Sequence, residues 1–95
     1  MLEEMGKDWW EGKYILFYDE GKVNKTAATN SYRVYSKFNH LLLGHIRYWT
    51  PWRKFVFFPL TGMLFDKGCM EDIILAIDKW SGERTERLKK KKELS

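Results

Sequence analysis

The stretch Leu41–Phe58, LLLGHIRYWTPWRKFVFF, decides the fold: two apolar and aromatic runs, Leu41–Trp49 and Trp52–Phe58, stand on either side of Thr50-Pro51. Proline has no N–H to give to a ladder, so Pro51 belongs in the connection and the runs read as an antiparallel hairpin. Pairing Tyr48 with Arg53 around a four-residue loop sets Ile46 opposite Phe55 and Gly44 opposite Phe57 on one face. The other face then carries Trp49 with Trp52, Arg47 with Lys54, and His45 with Val56. A slip of one residue would turn Arg47 and Lys54 inward, so the alternation says which face is buried.

Upstream, Lys13–Tyr18 reads as a strand broken by Asp19-Glu20-Gly21-Lys22. Residues 23–30 (VNKTAATN) are small and polar, either a loop or a bent continuation of that strand. Ser31–Lys37 reads as the next strand, with Tyr32 and Val34 on one side and Arg33, Tyr35 and Lys37 on the other. Phe38-Asn39-His40 supplies the turn into the hairpin.

Downstream, Met63-Leu64-Phe65 is either a short strand or a packed loop. Asp66 is a candidate helix cap, with Glu71 and Asp72 following as helix-start charges. Met70, Ile73, Ile74, Ile77 and Trp80 then fall on one helical stripe, and Ser81-Gly82 reads as the stop. Beyond it, Glu83 with Arg87 and Glu86 with Lys90 could support further helix, but only Leu88 and Leu94 are apolar there, so fraying is expected. The expected fold is α+β, an antiparallel β-meander of four or five strands packed on one C-terminal α-helix. Residues 13–81 form the single domain, 1–12 an N-terminal extension and 82–95 a basic tail.

The totals narrow the function classes. At 95 residues the chain is one domain, and its 17% aromatic share exceeds what so small a core can absorb, leaving rings for the surface. A lone cysteine, Cys69, excludes an internal disulfide. With no signal-like or membrane-length apolar run, an intracellular, cytoplasmic protein is expected, with no membrane partner. The net charge of +4 is lopsided: Gly82–Ser95 holds six basic and three acidic residues, leaving 11 basic and 10 acidic in the body. The basicity belongs mainly to the tail and its lysine run, Lys89–Lys92, which reads as a solvated end or a salt-dependent tether.

Leu43-Gly44-His45-Ile46-Arg47-Tyr48, Trp52-Arg53-Lys54-Phe55-Val56-Phe57-Phe58-Pro59, Phe65 and Asp72-Ile73 together resemble a group of short proteins common in phage and mobile-element genomes. Their pattern reads roughly LGxIxW…WRxYxFxP…F…LxDIxxFI, and the likeness spans about residues 31–80. It departs at Tyr48-Trp49, where a single tryptophan is the rule. The resemblance implies a phage or mobile-element origin and a shared fold, and it carries no activity.

No catalytic constellation, cofactor motif or metal-ligand spacing emerges. His40 and His45 lack the cysteine or carboxylate company of a metal site, the glycines are scattered singly, and Cys69 reads as a structural thiol or a helix-start thiolate. The candidate binding surface is the sheet face bearing Arg33, Tyr35, Lys37, His45, Arg47, Trp49, Trp52 and Lys54, where cations alternate with rings. Arg53 is expected on the opposite side beside Tyr48, either pairing with Asp72 or Asp78 or holding an anion. Such a face suits a host protein, because Trp, Tyr and Arg dominate interface hot spots. It also suits single-stranded nucleic acid or a nucleotide, which stack on rings while cations neutralise phosphate. A second copy of the chain could use the same face or a sheet edge. The expected function is a non-enzymatic binding protein that occludes a host partner, with a defence or nuclease component as one candidate and nucleic-acid binding as the alternative.

Overall fold

A computed structural model describes residues 2–22, 24 and 27–93, with the backbone alone for 91–93. The expectations placed on residues 23, 25, 26, 94 and 95, and on the side chains of Lys91 and Lys92, lie outside the described residues. The elements run β1 (Glu3–Glu4), β2 (Trp9–Glu11), β3 (Ile15–Gly21), β4 (Ser31–Ser36), β5 (Leu42–Trp49), β6 (Lys54–Pro59) and α1 (Lys67–Glu93). The strands pair in sequence order as one antiparallel six-stranded meander, and α1 lies on one face of it. The α+β class therefore stands, with six strands in place of four or five.

The added strands come from the segment set apart as an extension. Gly6 (φ 129°) and Asp8 (φ 71°) turn the chain between β1 and β2, and the Met5 N–H donates to the Trp9 carbonyl at 3.0 Å. The pairing of Trp9 with Tyr18 and Trp10 with Phe17 sends these adjacent tryptophans to opposite faces. Trp10 packs on the core beneath the Lys79 ammonium, 4.3 Å from its ring, while Trp9 joins the uncovered face.

The hairpin keeps the expected faces but shifts by two residues. Trp49 pairs with Lys54, Tyr48 with Phe55, Ile46 with Phe57 and Gly44 with Pro59. The cause is the connection: Thr50–Trp52 form a 3-10 turn, and Arg53 closes it in the left-handed region (φ 53°, ψ 44°). Trp52 and Arg53 are thus taken out of the strand. Because the side-chain period is two, an even shift preserves burial.

The core lies between the sheet and α1. Ile15, Phe17, Tyr32, Val34, Ile46 and Phe55 meet Ile73, Ala76 and Trp80. Trp80, 2% exposed, stacks on Tyr32 at 3.6 Å and meets Phe17 edge-on at 5.6 Å. Met70 and Ile74, expected on the buried stripe, are instead exposed; Ala76 and Asp72 take inward positions. Asp66 caps the helix, accepting the Cys69 N–H at 2.8 Å, but Glu71 and Asp72 lie past the first turn.

Gly82 does not stop the helix, which continues to Glu93. Lys79 pairs with Glu83 across that glycine at 2.8 Å, and just beyond it the Arg84 guanidinium ties the helix to β5, 4.3 Å from the Tyr48 ring. Glu, Arg and Lys beyond it favour helix intrinsically. Met63–Phe65 is the packed-loop alternative, with Phe65 edge-on to Phe57 at 5.2 Å.

Candidate binding surface

The face of the sheet opposite α1 is uncovered. Alternation along each strand delivers its side chains: Trp9 and Glu11 from β2, Leu16, Tyr18 and Glu20 from β3, Arg33 and Tyr35 from β4, then His45, Arg47 and Trp49 from β5. Cross-strand pairing makes a row across it, Trp9–Tyr18–Arg33–His45–Phe58, from β2 to β6. Rings gather at both ends of that row. Trp9 lies 4.9 Å from Tyr18 and 5.8 Å from Tyr35, and Trp49 meets Phe58 edge-on at 6.0 Å.

Carboxylates organise the middle. Glu20 accepts from Ser31 Oγ at 2.6 Å and from Arg33 Nε at 2.9 Å. Arg47 Nε donates to the same Ser31 Oγ at 3.1 Å, so one carboxylate and one buried hydroxyl fix two guanidinium groups. Burial raises the Glu20 pKa, but the bonds from Ser31 and Arg33 outweigh it and hold the carboxyl below its usual range. Lys37 pairs with Glu11 at 2.6 Å. His45 is held below its ordinary range, first by partial burial and then by the Arg47 charge, with Glu20 opposing.

Of the nine residues singled out in sequence, Trp52 and Arg53 do not join this face. Trp52 sits in the 3-10 turn, 66% exposed. Arg53 neither enters the core nor pairs with Asp72 or Asp78: Asp72 is committed to β3, and Arg53 lines a cavity of about 240 Å³ between β5, β6 and α1. Trp9, Tyr18, Phe58, Leu16, Glu11 and Glu20 are members that sequence reasoning missed. Trp9-Trp10-Glu11 was the available signal, a short apolar run punctuated by Gly6 and Gly12.

The Cys69 thiol packs against the core and is pushed up, first by burial and then by its hydrogen bond with Asp66, which disfavours the thiolate. Among the described residues, no three His, Cys, Asp or Glu side chains come together as a metal site, and no helix is long and apolar enough to cross a membrane. No family model, curated protein or solved structure matches the chain.

Proposed function

We propose that the chain is a small non-enzymatic binding protein, of the kind phages and mobile elements encode, that docks a host protein on the uncovered sheet face. The observation that carries this reading is the combination of exposed and half-buried rings with cations already satisfied in place. Arg33 and Lys37 are engaged by Glu20 and Glu11, so that half of the face offers little free positive charge to a phosphate backbone. Trp9, Tyr18 and Tyr35 offer large amphipathic area on a rigid sheet, where little side-chain entropy remains to be lost on binding. By analogy with such genomes, the partner class is a host defence or nuclease component, bound by occlusion.

One observation favours the second reading, single-stranded nucleic acid or a nucleotide. Arg47 and Lys54 flank Trp49 and, among the described residues, make no ion pair. Affinity capture from the encoding host's extract, with and without nuclease, separates the two. A protein partner that survives nuclease treatment supports docking. Recovery that depends on nucleic acid, together with a salt-sensitive gel shift on single strands, supports the second reading and removes the first.

A further inference from the structure

At the far end of the sheet from β1, the chain gathers cations that its own carboxylates leave alone. The 240 Å³ cavity is lined by Arg53, Lys54 and Arg84 with Tyr48, Ser81 and Thr85, and no Asp or Glu lines it. A second cavity of about 380 Å³ shares Tyr48 and Arg84 with the first, adds Arg47, and is likewise free of carboxylates. Among the described residues, none of Arg47, Arg53, Lys54 or Arg84 takes part in an ion pair.

The conformations of the two key arginines point the same way. Arg84 lies over the Tyr48 ring at 4.3 Å. That contact occupies no N–H donor by hydrogen bonding, and among the described residues no hydrogen bond engages the Arg84 guanidinium, whose fork of donors matches an oxyanion. Arg53 occupies the left-handed region, where a Cβ is unfavourable and glycine or asparagine is the natural choice. Strain held at one residue marks a place where the side chain is worth keeping. Thr85 spends its hydroxyl on the Ser81 carbonyl at 3.0 Å, so the side-chain donors left to the cavity are its three cations and the Tyr48 and Ser81 hydroxyls.

We propose that this cavity is an anion site that binds a phosphate group, held by Arg53, Lys54 and the N–H donors of Arg84. Of its three cations only Lys54 also borders the uncovered face, beside Trp49. Its phosphate is either a free ion or part of a phosphodiester.

The test is an amide NMR titration of the full chain with inorganic phosphate, and separately with a short oligothymidine, each against sodium chloride at matched ionic strength. Saturable shifts at Arg53, Lys54, Ser81 and Arg84 with phosphate are expected for a free-ion site; saturation by the oligonucleotide alone assigns the site to a phosphodiester. Arg84→Gln should weaken whichever ligand binds at least about tenfold, the loss of one charge-assisted bond. Arg53→Gly should weaken it similarly while leaving the melting temperature unchanged or raised, since glycine relieves the backbone. That split between binding and stability is one a purely structural turn residue would not give. Lys7→Gln, remote at the β1–β2 turn, should leave affinity unchanged. The proposal is overturned if neither ligand gives saturable shifts, if chloride reproduces them, or if Arg84→Gln and Arg53→Gly bind as the parent does.

Discussion

The carboxylate of Asp72, buried on α1, accepts the backbone N–H of Ile15 at 3.1 Å and that of Tyr14 at 2.6 Å. A helix and the start of a strand 57 residues apart in sequence are thereby joined by one side chain. Gly12 makes room for it, since a Cβ there would meet the Asp72 carboxylate at 2.7 Å. Asp72→Ala leaves the Ile15 donor buried and unpaired and opens the Tyr14 donor beside it. The expected loss is about 2–4 kcal/mol, read as a lower urea midpoint with the slope unchanged. Asp72→Asn retains an acceptor and should lose less. A wild-type midpoint for Asp72→Ala would mean the link contributes nothing.

Two glycines should respond with opposite signs. A Cβ on Gly44 would collide with the Phe58 carbonyl and lie 2.9 Å from the Phe57 ring, so Gly44→Ala should destabilise by about 1–3 kcal/mol. Gly82 lies inside α1, and a Cβ there meets nothing within 4 Å. Gly82→Ala should therefore stabilise by about 0.5–1 kcal/mol through helix propensity and a less free unfolded chain. Thermal melts of the pair check both signs, and destabilisation by Gly82→Ala would contradict an unbroken helix.

His45 sets a pH dependence. Its folded pKa lies below the ordinary 6.5, so as pH falls through that value the unfolded chain takes up the proton first. Its contribution is complete above about 6.5, declines as pH falls from there toward the depressed folded value, and levels off below it. His45→Gln should flatten urea stability measured across that window. An unchanged slope would place the titration elsewhere.

Much of the fold was legible because period-two alternation survives small errors. The hairpin register was off by two, yet Ile46, Phe55 and Gly44 still face inward. What could not be read was the turn chemistry, because an arginine gives no sign that it will adopt the left-handed conformation that Arg53 does. The helix stripe was partly misread for a similar reason. Asp72 is polar by type but buried by its two backbone donors, while Ile74 is apolar and 57% exposed. The candidate surface was half visible: its basic and aromatic residues follow from alternation, but Glu11 and Glu20, which engage Lys37 and Arg33, are placed by strand pairings that no local pattern specifies.

Whether the uncovered face is the docking surface is tested most directly by measuring, by calorimetry, the affinity of two single variants for the captured partner. Trp49→Ala removes a ring 42% exposed on that face, and Ile74→Ala removes an apolar side chain on α1 that is more exposed still, at 57%. Trp49→Ala should weaken binding at least about tenfold with little change in melting temperature, as a hot-spot aromatic does, while Ile74→Ala binds normally. Wild-type affinity for Trp49→Ala, or loss of binding through Ile74→Ala, would contradict the assignment of the partner to the sheet face.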